Sequence, residues 1–405
     1  MLYSRRCALA GLMPGVLMAF ALLLAGPAAV YAEREPLDCA QKSLRDAVRD
    51  AHDTDRTILF TGVCQGPIVV RTDGLTLQGV GTAIIDGGGH DAITVTGARG
   101  VALTHIEVRN GLTGILGVNG AHVTVTGVHV HDNAVFGVSL QTASSALLSN
   151  VTATNNGVHG LDLETGSAAT VTGTLTASSN RVFGINVNGS AITFALASVA
   201  ANSNALGIQI ATNANAFIND SDTVITAQQN FSTGLTVVSG AHLVSFGGTI
   251  NASGNPITGV SVNSKGGLDL DAASTLNSFS NGEGVLIQEA SVMTVFNLPQ
   301  FSGVPGLSTV NAHHNTGSGL SVHSGSTLTL SNQAQILSHD NGQTGLVADN
   351  GVGVTLVNTT LIDNTVQDLQ LTFGTRADLQ TLTVGTYTCD ATVLVRGASG
   401  ITCPH

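Results

Sequence analysis

The sequence predicts an all-β chain wound as a parallel β-helix, a solenoid in which one coil of short strands stacks on the next. Three observations predict it. An asparagine recurs about every two dozen residues, apolar and small polar residues alternate within each repeat, and no helical period is convincing beyond about residue 53. The repeat reads Asn, then three or four residues on a glycine, then an aliphatic residue, as in Asn133–Gly137–Val138. The same frame begins at Asn110, Asn156, Asn180, Asn204, Asn230, Asn255, Asn281, Asn315 and Asn341, and a last copy at Asn364 has Asp368 in the glycine position. Successive asparagines are 23 to 26 residues apart except for one interval of 34, between Asn281 and Asn315. Runs such as "ITVTG", "VTVTG", "INVNG" and "LTLSN" alternate with a period of two, which marks half-buried strands. A leucine-rich repeat has a similar length, but its fixed leucine spacing is missing, and a propeller blade needs a longer repeat. In a coil stack with a spacing of roughly 4.8 Å, asparagine suits a sharp left-handed turn, and its amide can bond the asparagines above and below.

From the N-terminus, residues 1–32 read as a secretory signal peptide, with Arg5 and Arg6 ahead of an apolar run and cleavage expected after Ala32. This places the mature chain in the periplasm or outside the cell. No later segment is apolar enough to span a membrane. Residues 33–66 read as an N-terminal cap, in which Leu44, Val48 and Ala51 fall on one face of a short helix that plugs the open end. Coils occupy 67–385, and 386–405 form a C-terminal cap. The long repeat carries "FNLPQFSGVPG", read as a protruding loop. Cys39, Cys64, Cys389 and Cys403 remain after cleavage and allow three pairings. Proximity favours Cys39–Cys64 and Cys389–Cys403, one bridge at each end, where a solenoid must hide its core and unpaired edges.

Cleavage removes two arginines and no acids, leaving 12 basic and 26 acidic side chains and a net charge of −14. Such a surface disfavours nucleic acid. It also disfavours a strongly anionic polymer unless a local basic patch or a cation intervenes. Charged residues make up only 10% of the chain, so Thr, Ser, Asn and Gly must pave most of the flank, a surface suited to sugar hydroxyls.

With its Asn-marked coils, the chain resembles the right-handed parallel β-helix superfamily, the pectate-lyase-like fold, over nearly all of its mature length. The resemblance implies a right-handed winding. Uronic-acid lyases and epimerases of that superfamily place His, Arg and carboxylate sets on the solenoid flank. Here Glu107, Arg109, His129, His131, Asp132, Asp162, Glu164 and Arg181, with His159, gather in four successive coils of a charge-poor chain. Histidine beside carboxylates and arginine can take up and return a proton while charge is stabilised. Asp162 and Glu164 should share a strand face about 7 Å apart, a spacing open to glycoside hydrolysis. The pectate lyase calcium and arginine motifs and the Asp-Pro-His-Asp signature of mannuronan epimerases are absent. Tyr387 is the one tyrosine left after cleavage, and there is no tryptophan.

Further on, His313 and His339 each stand two residues before a ladder asparagine and should stack one coil apart, near His314, His323 and Asp340, as candidate zinc or copper ligands. Some periplasmic proteins of similar fold serve copper handling. No other cofactor is implied. "DGGG" at Asp86–Gly89 lacks a following helix and reads as a turn. The expected function is therefore an exported protein that binds or modifies a polysaccharide, with a non-catalytic adhesin or envelope scaffold as the alternative.

Overall fold

The computed structural model describes residues 35–51, 56–297, 306–331, 334–397 and 400–404. The expected signal peptide (1–32) and most of the expected protruding loop (298–305) lie outside the described residues.

One repeat forms one coil of three strands. The coil opening at His122 has strands His122–Thr126, His129–His131 and Phe136–Leu140. Each pairs in parallel with the residue one repeat later: His122 with Ser145, His129 with Thr152, Phe136 with His159. The first two strand columns merge into a broad 23-stranded sheet, and the third forms a 14-stranded sheet. They merge because only a short break separates them. One left-handed residue bends the chain there, such as Gly127 (φ 63°) or Asn150 (φ 54°), and the ladder resumes immediately. Alternation decides which side chains go inward. Val123, Val125, Val130, Val138 and Leu140 are at most 1% exposed and stack on Ala146, Leu148, Ala153, Leu161 and Leu163 of the next coil. Each fully buried aliphatic side chain contributes about 1.5–3 kcal/mol, so the stack is held mainly by this continuous core.

The asparagines turn the corner between the two sheets. From Asn156 to Asn364 each side chain accepts from the backbone N–H of the asparagine before it; Asn204 Oδ1, for example, accepts from Asn180 N at 2.8 Å. Amide-to-amide bonds accompany this at most steps, as from Asn156 Nδ2 to Asn180 Oδ1 at 3.0 Å. The ladder ends at Asp368 Oδ1, which accepts from both Asn364 N and Asn364 Nδ2. Two details differ from the sequence reading. The left-handed residue of the turn is the one before the ladder position, such as Asp132, Asn155, Ser179 and His314, and not the ladder asparagine. In the first coil, Asn110 (φ 54°) takes that preceding position, and it is Gly111 whose N–H reaches Asn133 Oδ1 at 2.8 Å.

At the N-terminal end the helix α1 (Leu44–Arg49) buries Leu44 and Val48, and Ser43 caps it by accepting from Asp46 N at 3.2 Å. Disulfides join Cys39 to Cys64 and Cys389 to Cys403. No helix among the described residues is long and apolar enough to cross a membrane.

Candidate functional site

On the broad sheet, Glu107 and His129 stack in one outward column, and Asp86, Arg109 and His131 in the next. Valines 108 and 130 between the columns point into the core. The outward side chains close into one network. Arg109 donates from Nη1 to Glu107 Oε1 (3.1 Å) and from Nε to Asp86 Oδ2 (3.5 Å). Asp86 also accepts from Asn110 Nδ2 at 2.8 Å and Gly88 N at 3.1 Å. Burial raises the Asp86 carboxyl, but the hydrogen bonds from Asn110, Gly88 and Arg109 outweigh it and leave it below the usual carboxylate range.

His131 is clamped between two carboxylates. Its Nδ1 lies 2.7 Å from Asp132 Oδ2 and its Nε2 3.3 Å from Glu107 Oε1. His129 stacks on it with ring centroids 4.3 Å apart, and its Nε2 lies 3.3 Å from Thr154 Oγ1. Burial, and then the charge on His131, push His129 below the ordinary histidine range, with Glu107 and Asp132 pulling partly the other way. At neutral pH His129 is therefore an uncharged imidazole on the solvent side of the cluster. The guanidinium of Arg109 is engaged by two acids, so it orients Glu107 rather than offering a free cation.

Beyond the Asn133 corner, on the 14-stranded sheet, Ser139, Asp162, Asn186 and Gln209 stack in register. They form a directed chain. Gln141 Nε2 donates to Ser139 Oγ (3.1 Å), Ser139 Oγ to Asp162 Oδ2 (3.1 Å), Asn186 Nδ2 to Asp162 Oδ1 (2.9 Å), and Gln209 Nε2 to Asn186 Oδ1 (3.3 Å). Asp162 is fully buried, and burial pushes its carboxyl up to about 6; Glu164 adds to the rise, and the bonds from Asn186 and Ser139 oppose it. Beside this row, His159 is sandwiched between Phe136 (5.4 Å) and Phe183 (4.7 Å). Burial pulls His159 down to about 4, and its Nδ1 accepts from Phe183 N at 3.3 Å.

The eight residues singled out from the sequence thus fall into separate places. Glu107, Arg109, His129, His131 and Asp132 meet in one cluster. Asp162 and Glu164 belong to the other sheet, and Arg181 is exposed on the turn after Asn180. Sequence reasoning missed Asp86 as a partner of Arg109, although it stands one repeat, 23 residues, before it. It also missed the Phe136–His159–Phe183 stack, whose members recur at the repeat spacing.

Toward the C-terminal end, His313 stacks between Phe279 (5.2 Å) and His339 (5.2 Å). His313 Nδ1 faces His314 Nδ1 at 2.8 Å, and His339 Nδ1 lies 2.7 Å from Asp340 Oδ2. His323 pairs instead with Asp349 at 2.8 Å. Among the described residues, no three or more His, Cys, Asp or Glu side chains are grouped so as to hold a metal ion.

The family model described as "Right handed beta helix region" matches residues 68–249. The fold of the chain is a right-handed parallel β-helix. Among solved structures, the enzymatically active domain of bacteriophage CBA120 tailspike protein 2 is similar at 11% identity and a TM-score of 0.47, over 66% of this chain and 48% of that one. The β-helix chain thus spans about half the length of the tailspike domain. The A-module of the Azotobacter vinelandii mannuronan C-5 epimerase AlgE6 is similar at 14% identity and a TM-score of 0.40, over 89% of this chain and 100% of that module. A pectate lyase, Pel9A, is similar at 13% identity and a TM-score of 0.27, over 77% of this chain and 69% of that one. No curated protein sequence matches the chain.

Proposed function

We propose that this β-helix is exported and binds and modifies a polysaccharide on the flank of its N-terminal coils, with His129 as proton acceptor. One observation carries this reading: an uncharged imidazole stacked 4.3 Å from a second imidazole that is itself held between Asp132 and Glu107. A base that is unprotonated at working pH and fixed in orientation can accept a proton from a sugar C–H or O–H and become the imidazolium. A proton delivered by water to the opposite face of the carbon inverts it, and His129 then releases its own proton to solvent; loss of a leaving group from the neighbouring carbon, protonated by solvent as it departs, instead gives elimination. Asp86, Arg109, Glu107 and Asp132 act as positioning residues, since their bonds fix His131 and through it His129. The signal-like N-terminus and the two disulfides support an oxidising compartment.

A second reading, binding without chemistry, is favoured by one feature. Cavities of about 500 and 280 Å³ lie at the N-terminal end and one of about 520 Å³ near the C-terminal end, and none of these overlies His129. NMR of neutral and acidic polysaccharides, before and after incubation with the mature protein, separates the two. Epimerisation or cleavage that disappears in the His129→Ala, His131→Ala double variant is expected. No spectral change across the panel would exclude catalysis on those polymers.

A further inference from the structure

The cavity near the C-terminal end is built differently from the rest of the flank. It lies on the outward face of the broad sheet, where the strands Thr327–Leu330, Gly353–Ile362, Arg376–Val384 and Leu394–Arg396 stack in parallel. Two outward columns frame it: Thr327, Gly353, Arg376 and Leu394 in one, and Thr355, Asp378 and Arg396 in the other. Gly353 leaves a gap in the first column, so the backbone of Val354 and Ala377 forms the floor of a cleft of about 520 Å³. That is room for one or two sugar rings.

The mature chain is strongly acidic, yet two exposed arginines line this cleft, and among the described residues no carboxylate forms an ion pair with either, although Asp378 stands opposite Arg396 in register. Asp378 is the acid in the lining, and Gln380 Nε2 donates to its Oδ1 at 3.4 Å. Arg376 pairs across the coils with Leu394, and Arg396 lies two residues farther along that strand. Their Cα atoms are therefore roughly 8 Å apart, within reach of a single carboxylate or of two borne on neighbouring rings. An unpaired guanidinium presents a fork that matches a carboxylate. Thr327 and Thr355 add hydroxyls, and Leu394, 45% exposed, adds an apolar wall of the kind a pyranose ring covers.

We propose that this cleft binds a carboxylate-bearing saccharide, with Arg376 and Arg396 holding the acid and the threonines and Leu394 holding the ring. It is a basic patch on an acidic protein, separate from the His129 cluster, and it stands whether or not that cluster is catalytic.

Isothermal titration of the mature protein with a uronic acid trisaccharide, its carboxyl-reduced neutral counterpart and sodium sulfate tests the assignment. The acidic trisaccharide binds, more weakly as salt rises, and the neutral one does not. Arg376→Gln and Arg396→Gln each weaken binding about tenfold or more, as expected for loss of a charge-assisted hydrogen bond. Gly353→Leu fills the cleft and abolishes binding; a Cβ at that position meets only Thr327, at 3.9 and 4.0 Å, so the fold accommodates it. Asp378→Asn tightens binding, a gain that misfolding does not produce. The assignment is overturned if the acidic trisaccharide does not bind, if it binds equally well after these substitutions, or if sulfate binds as tightly as the sugar acid.

Discussion

Replacing Asp162 with asparagine isolates the electrostatics of the buried row. The carboxyl is raised from the ordinary 3.8 to about 6, chiefly by burial. Two units oppose the ionised form by about 3 kcal/mol. The sign follows from linkage. The native state holds this proton more tightly than the unfolded chain, so the contribution of Asp162 is complete below pH 3.8 and is lost as pH rises through about 6. His159 in the same coil has the opposite slope. Burial lowers it from 6.5 to about 4, so its contribution is present above 6.5 and is lost as pH falls through 4, again by about 3 kcal/mol. Between pH 4 and 6 the two groups largely cancel.

In Asp162→Asn the new amide oxygen accepts from Asn186 Nδ2 and its NH₂ donates to Ser139 Oγ, so the row stays bonded without a charge. The variant should be more stable than the wild type by up to about 3 kcal/mol at pH 8, and the gain should vanish near pH 4. Its own stability should climb from pH 4 to 6.5 as the His159 slope is exposed. Guanidinium unfolding followed by far-UV circular dichroism at pH 4.5, 6 and 8 gives these differences. A stability difference that does not change with pH would refute the linkage and the buried ionisation it rests on.

Other outcomes follow from the corner and the caps. Asn204→Ala orphans the buried Asn180 N–H and removes a donor from Ala177 O, and should destabilise by about 2–4 kcal/mol, seen as faster amide exchange centred on the neighbouring coils. Gly259→Ala would set a Cβ 2.1 Å from Ser278 Oγ and 2.5 Å from Asn281 Nδ2, so a marked fall in unfolding midpoint is expected; an unchanged midpoint would show that the corner is looser than this packing implies. Cutting the Cys389–Cys403 bridge, which closes a separation of 14 residues, should remove about 3 kcal/mol and open the C-terminal segment to proteolysis before the central coils.

The flank chemistry is explained by its position. A core of stacked aliphatic residues leaves the outward columns free to vary, and at Glu107, His129 and His131 they vary toward titratable groups. Neighbouring coils bring residues 22 to 24 apart within hydrogen-bond reach, so a compact network forms without a loop to hold it.

Much of this was legible in the sequence. The two-dozen-residue period gave the coils, alternation gave the inward valines, and Leu44, Val48 and Ala51 marked the face of the capping helix. These patterns are local, and strand and helix geometry imposes them wherever they occur. Register was not legible. Asn110 keeps the 23-residue spacing to Asn133, yet it pairs with the position before it, and only the cross-coil hydrogen bonds show that Gly111 takes the ladder place. Nor did spacing reveal that Asp162 and Glu164 face another sheet than His129, or that Arg109 is bound by Asp86. The direction of an outward side chain depends on which side of the Asn corner it stands, and its partners depend on a register in which one residue changes every neighbour. Periodicity determined the solenoid; tertiary pairing decided which charges meet, because those contacts form between coils and not along the chain.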